Sequence, residues 1–349
     1  MTHFLQDILR QPEELQQSLD FLCGSGAPML LQASNVIRNA RHIYLTGMGA
    51  SWHAAVNARA ILHPRGFAAH TMDAADLLES RLFPPHSVVV IISRSGRSVE
   101  LSPLIEMANE SLATVIGITN NGDSPLAQQS HISLVLPVKP DHGISVNTYS
   151  TLALAAGVLA TTVTGSFDKA TQSALSDVLS QTGGLLAKWQ TQIDASAWLA
   201  PQQTYYFLAR RASFGSALEA RLMWEEGVKA PATAMGTGSF RHGPQEIVNP
   251  NVRFCLWLDR QWMREQDLAI VRDLKFLGAH TMLIGNNVPD DLAALTIQLP
   301  EMPDQWDFLL DVMPTQLAAE RLSRLAGVDC DTFRFSSFIV EDDYGLLKS

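Results

Sequence analysis

Short apolar runs alternate with amphipathic helical patterns along this 349-residue chain, the pattern of parallel sheets covered by helices on both faces. The clearest run is 88–92, five apolar residues typical of a strand buried on both sides. Further strands are predicted near 42–46, 113–119 and 132–136, with a weaker one near 68–72. Next comes an apolar stretch over 149–165. Serine and threonine interrupt it, so it is predicted to be a buried helix and not a membrane span. After a polar, amphipathic stretch over 167–197 the pattern restarts, with strands near 204–209, 253–258, 280–284 and 295–299.

The restart is an internal repeat. Tyr44, Ala50, Ser51, Trp52 and Ala55 are echoed by Tyr206, Ala212, Ser213, Phe214 and Ala217 at a constant offset of 162. GITNN at 117–121 is answered by LIGNN at 283–287 at a slightly larger offset. Two copies of one α/β unit are therefore expected, large enough together for two cores.

The turns at the ends of the strands differ between the copies. After 88–92 come Ser93, Arg94, Ser95, Gly96, Arg97 and Ser98, where a helix is predicted to begin. Hydroxyls, a permissive glycine and the amides of a helix N-terminus suit a phosphate, although an N-capped surface turn accounts for the same serines. In the second copy Asp259, Arg260 and Gln261 stand there instead. Ligands of doubly wound sheets collect at the carboxyl ends of strands. The GMGASWH turn at 47–53 is accordingly expected near the serine turn, with Ser51 either donating to a ligand or capping its helix.

The formal net charge of −10 argues against nucleic acid or an anionic membrane as the main partner. The three cysteines, Cys23, Cys255 and Cys330, lack redox or metal-ligand spacing and fit reduced thiols in a cytoplasm. The acidic, amphipathic N-terminus has no secretory h-region. No metal-ligand spacing occurs among the ten histidines, and no nucleophile elbow is present.

The strongest acid–base candidates lie in the second copy. Glu219 and Glu226 are seven apart, hence on one face of a predicted helix, with Glu225 turned about 100° away. His242 stands sixteen residues after Glu226 in an RHGP turn that Pro244 stiffens. A carboxylate and an imidazole suit proton transfer on a sugar. Ion-paired or structural roles are open to both residues as well.

These motifs in this order, GMGASWHAA, SRSGRS, NNGDSPLA and ALEARLMWEEGVKAPATAMGTGSFRHGP, resemble the sugar isomerase (SIS) domain family, specifically double-SIS proteins similar to the isomerase half of glucosamine-6-phosphate synthase. The resemblance implies two tandem flavodoxin-like SIS domains, each a parallel sheet with helices on both faces. It implies an N-terminal helical segment over 1–30, a first SIS domain with the phosphate cradle over 31–166, a second with the catalytic pair over 167–327, and a tail over 328–349 closing the active site. Carried over by position, Ser51, Ser93, Ser95 and Ser98 hold a sugar phosphate, and Ile144 and Ser145 line the sugar pocket by backbone contacts; Arg94 and Arg97, read from the turn itself, are placed to pair with phosphate, with solvent or a neighbouring carboxylate as the alternative. Glu226 falls on the catalytic glutamate. His242 falls on the ring-opening histidine, which in this family reaches a neighbouring subunit's site, so a homodimer or larger assembly is implied. No cofactor and no metal are implied.

Two departures narrow the expected activity. No glutaminase segment precedes the first unit, and Ser336 stands where the synthase carries a Schiff-base lysine, Lys348 lying too far along to replace it by simple alignment. The FRHGP turn and the RFSSFIVE tail resemble the fructosamine 6-phosphate deglycases of the family. The expectation is therefore a cytoplasmic enzyme of amino-sugar and carbohydrate metabolism that shifts a proton between C1 and C2 of an amino-linked ketose 6-phosphate. A glucosamine-6-phosphate deaminase or an aldose-ketose phosphosugar isomerase is the alternative, and a noncatalytic sugar-phosphate sensor a further one.

Overall fold

The computed structural model describes residues 1–335 and 339–342. Its contacts divide the chain into two compact units. One comprises Arg10–Leu179 with the described residues from Phe333 onward, and the other Met1–Leu9 with Ser180–Thr332.

The first of these units is built on a five-stranded parallel sheet of β1 (His42–Thr46), β2 (Ala69–Thr71), β3 (Ser87–Ser93), β4 (Thr114–Thr119) and β5 (Ile132–Val135), in the order β2-β1-β3-β4-β5. Every residue of β3 is buried, as its unbroken apolar run requires of a central strand. Its helices include α2 (Ala27–Asn39), α3 (Ala50–Leu62), α4 (Ala74–Leu78), α5 (Leu101–Glu110), α6 (Pro125–Gln129) and α7 (Asn147–Thr164). Two further helices, α1 (His3–Cys23) and α8 (Lys169–Ala195), contain the points of division. Val89, Ile91, Leu104, Ile105 and Leu126 form part of one core between β3 and α5.

The other unit repeats the plan with β6 (Thr204–Ala209), β7 (Ala232–Gly236), β8 (Val252–Trp257), β9 (His280–Gly285) and β10 (Leu295–Gln298), all parallel, in the order β10-β9-β8-β6-β7. Numbered within each unit, both sheets have the flavodoxin-like order 2-1-3-4-5, so the offset of 162 in the sequence is a duplication of topology. Its helices are α9 (Ser213–Met223), α10 (Thr237–Phe240), α11 (Arg264–Phe276), α12 (Phe308–Asp311) and α13 (Met313–Ala326). The edge strand β7 is absent from the predicted elements. Its five residues are all half-buried, so neither an apolar run nor an alternation marks it.

The apolar stretch predicted as a helix over 149–165 is α7, with nearly every residue buried. Among the described residues no helix is long and apolar enough to cross a membrane. The three cysteines are free.

Candidate functional site

The carboxyl ends of β1, β3 and β4 gather the serines singled out by the sequence. Ser93 closes β3, is buried, and accepts the amide of Gly96 on its Oγ at 3.0 Å. Ser95 Oγ accepts the amide of Arg97 at 3.2 Å. A serine hydroxyl that accepts from a backbone amide keeps its own O–H to donate, which is what an anion needs. The carbonyls of the turn are tied back toward β4 and α6. Thr119 Oγ1 donates to Arg94, Asn121 Nδ2 to Ser95 and the Leu126 amide to Gly96, at 3.3, 3.1 and 3.3 Å. With those acceptors engaged there, the hydroxyls of Ser93 and Ser95 are left as donors.

Two glycines make this arrangement possible. Gly96 has φ +63°, and a Cβ there would fall 2.2 Å from Ser124 Oγ. At Gly47 a Cβ would fall 2.6 Å from the Ile92 carbonyl and 2.8 Å from the backbone of Ser51, so this residue is wedged between the end of β3 and the start of α3. That wedge places Ser51, itself buried, beside the cradle.

The structure corrects two readings of this segment. The helix does not start at the serines: α5 begins at Leu101, after a turn, and no side chain caps it. Ser51 does not cap α3 either, because the cap position is Gly49. Neither helix is capped by these serines, while Ser93 and Ser95 do cap amides of their own turn.

Arg94 reaches from the cradle toward the loop after β5, with Nη1 3.5 Å from the Gly143 carbonyl. That loop carries Ile144, which is buried, and Ser145, whose Oγ lies 2.7 Å from Thr148 Oγ1. Its organiser is Asp141, which no sequence pattern singled out. The Asp141 carboxylate accepts from the amides of Val146, Asn147 and Thr148 and from the Thr148 hydroxyl, and lies 3.6 Å from Arg10 Nη2. It thus caps α7 from outside the helix, a spacing that local capping rules do not find. On the far side of the cradle, the Val99 amide donates to the Val340 carbonyl at 3.0 Å. Ser336 and Lys348 lie outside the described residues.

Glu226 and His242 belong to the other unit. Helix α9 passes directly into a π-helical turn over Trp224–Val228 that ends at Lys229 with φ +59°. Such turns are rare and are frequent at functional sites. The turn alters the register between Glu219 and Glu226, so the seven-residue spacing does not act as it would in a regular helix. Glu219 is wholly buried, and burial pushes its carboxyl well above the usual range against the opposing effect of Arg221. Glu226 is half-buried, and its carbonyl accepts from Lys229 Nζ. His242 is exposed and lies just beyond α10, with its amide on the Ser239 carbonyl at 3.0 Å and Gly243 behind it at φ +119°.

Alternation along β6 separates these two residues. Tyr205 and Phe207 meet Trp224 of the π turn, with ring centroids 5.2 and 4.8 Å apart. Tyr206 points the opposite way and meets Phe240 of α10 at 6.4 Å, and Phe254 meets Phe240 at 5.6 Å. Successive side chains of a strand face opposite sides, so within one chain the sheet stands between the element bearing Glu226 and the element bearing His242. Among the described residues no group of three or more His, Cys, Asp or Glu could hold a metal ion.

With this geometry in place, the likeness to known proteins is specific. A family model described as the SIS domain matches residues 36–162, which cover the cradle and all strands of its sheet. Over that stretch the chain is similar to SIS domains. Among curated relatives, the glutamine–fructose-6-phosphate aminotransferases [isomerizing] of Bacteroides thetaiotaomicron and Pyrobaculum aerophilum are 24% and 25% identical, each over 94% of this chain. The alignments cover 57% and 56% of those proteins, so the chain spans a little over half the length of the relatives it matches. Solved structures share the fold over nearly its whole length. The C-terminal domain of glucosamine-fructose-6-phosphate aminotransferase from Francisella tularensis has a TM-score of 0.83 at 19% identity, covering 94% of this chain and 97% of that one. Glucosamine-6-phosphate deaminase from Thermotoga maritima has a TM-score of 0.80 at 20% identity, covering 97% and 99%. Tagatose-6-phosphate ketose/aldose isomerase from Escherichia coli has a TM-score of 0.80 at 21% identity, covering 95% of each chain.

Proposed function

We propose that this protein is a phosphosugar-processing enzyme of the SIS kind that moves a proton between C1 and C2 of a fructosamine 6-phosphate and releases an amine and an aldose 6-phosphate. The observation that carries the reading is the serine turn at 93–98, whose carbonyls are engaged behind it while its hydroxyls keep their donors. Ser51, Ser93, Ser95 and Ser98 hold the phosphate, Arg94 adds charge, and the loop of Ile144 and Ser145 borders the sugar. His242 assists ring opening by moving a proton between the ring oxygen and the anomeric hydroxyl. Glu226 then takes a proton from C1 to give an enaminol and returns it to C2, leaving an aldimine at C1. Water adds to that carbon and the amine departs.

The position of the sheet between the elements bearing Glu226 and His242 supports a site completed by a second copy of the chain, the histidine of one chain serving the glutamate of another. The bond from Val99 to Val340 supports a tail that closes over the cradle. Mass spectrometry of products formed from fructoselysine 6-phosphate and, separately, from glucosamine 6-phosphate tests the chemistry. Free lysine with glucose 6-phosphate is the expected result. Ammonia with fructose 6-phosphate would replace the proposal with a deaminase, and hexose 6-phosphate binding without turnover of either would replace it with a sensor. Mixing Glu226→Gln and His242→Ala chains tests the shared site, since hybrid assemblies should recover activity that neither variant has alone.

A further inference from the structure

The duplicated topology creates a second crevice at the corresponding place in the other unit. The carboxyl ends of β8, β9 and β10 border an open cleft of about 480 Å³, at the end of the sheet where ligands of doubly wound folds collect. The correspondence with the cradle extends to residues: Asn286 and Asn287 line the cleft where Asn120 and Asn121 stand after β4 in the first copy.

The charges in this cleft are unevenly compensated. Arg260 is neutralised, with Glu301 at 2.7 Å and Asp307 at 3.4 Å. Arg264 is not: it donates to the carbonyls of Asn286 and Asn287, at 3.2 and 2.7 Å, and has no carboxylate partner among the described residues. It is also the first residue of α11, a helix of 13 residues with no side-chain bond to its first-turn amides, the Met263 amide just before it going to Asp259 Oδ2 at 2.8 Å. A guanidinium without a carboxylate partner at the open first turn of a helix is suited to an anion.

A second, independent observation concerns Asn286. Its side-chain amide donates to the carbonyls of Leu299 and Pro300, which fixes its orientation. Its Oδ1 has no partner although the residue is only 6% exposed. A buried acceptor left unpaired is costly, and a ligand hydroxyl would satisfy it. Asp304 and Gln261 supply further polar groups, and Met302 is the one apolar residue in the lining. An apolar ligand is therefore disfavoured.

We propose that this crevice is a second binding site, separate from the cradle, for a phosphorylated sugar. Its phosphate lies at Arg264 and the start of α11, and its hydroxyls meet Asn286 and Asp304. Isothermal titration of the Glu226→Gln chain with glucose 6-phosphate, and with inorganic phosphate in parallel, tests it. Binding that Arg264→Glu removes and that the Ser95→Ala, Ser98→Ala double variant leaves in place is the expected result, giving two ligands per chain if the cradle is also occupied. Binding lost in the cradle variant and unaffected by Arg264→Glu would overturn the proposal, as would no binding at all. Asp304→Ala provides a milder second variant, expected to weaken glucose 6-phosphate at this site about tenfold while leaving inorganic phosphate unchanged. Equal affinity of this site for inorganic phosphate and glucose 6-phosphate would overturn the assignment of a sugar.

Discussion

Gly96→Ala probes the cradle most directly, because two separate penalties can be worked from its surroundings. The residue sits at φ +63°, a left-handed conformation that costs an L-residue about 1–2 kcal/mol. The new Cβ would also fall 2.2 Å from Ser124 Oγ and 2.6 Å from Ser124 Cβ. Ser124 is fully buried, caps α6 by accepting the Ala127 amide at 3.2 Å, and donates to the Asn121 carbonyl at 2.7 Å. Displacing it forfeits a cap worth about 1 kcal/mol and pulls on the segment that ties back the cradle carbonyls. The expected loss is about 2–4 kcal/mol together with weaker sugar-phosphate binding. Gly66→Ala is the control, since φ is +85° there but nothing lies within 4 Å of the new Cβ. It should cost about 1–2 kcal/mol and leave binding alone. Urea unfolding of both variants and calorimetric titration with glucose 6-phosphate provide the comparison. If Gly96→Ala matched Gly66→Ala in both stability and affinity, the close-approach account of the cradle would be refuted.

Three further expectations are independent of that one. Glu226→Gln should lower kcat by about 10²–10⁴ while changing hexose 6-phosphate affinity little; single-turnover kinetics with a binding titration checks this, and a parallel loss of binding would make Glu226 structural. Asp141→Ala should cost about 3 kcal/mol by uncapping α7 and leaving Arg10 without this partner, and should weaken sugar-phosphate binding through the loop of Ile144 and Ser145; thermal melts and titration report both. Burial raises the carboxyls of Asp311 to about 6 and Asp307 to about 7, the charge of Asp311 adding to the rise at Asp307. The folded chain therefore holds protons that the unfolded chain has released. This contribution, roughly 3 kcal/mol for Asp311 alone, is complete below pH about 4 and lost as pH rises through 6 to 7. Asp311→Asn should flatten stability between about pH 4 and 6 in denaturant titrations, and an unchanged slope would count against the assignment.

Much of the fold was legible because parallel strands buried on both faces leave apolar runs that little else produces. The run at 88–92 is β3 with one residue added at each end, and the repeat offset matches two sheets of one topology. The serine turn was legible as a tight turn closing β3, but not the position of the helix after it, because turn and first helical residues share the same polar composition. The π turn at Glu226 was not legible, since helical spacing assumes 3.6 residues per turn and a local change of period leaves no mark in the apolar pattern. Asp141 was missed for a different reason. Its partners lie five to seven residues ahead, across a bend that only the folded loop brings round.

The sheet between Glu226 and His242 has a genetic consequence in the shared-site reading. A chain altered at Glu226 alone, paired with an unaltered chain, spoils one site of a mixed dimer and leaves the other whole. A chain altered at both residues brings a defective half to each site and silences the pair. Co-expressed with the normal protein, the double variant should act as a poison subunit where either single variant is only a partial loss.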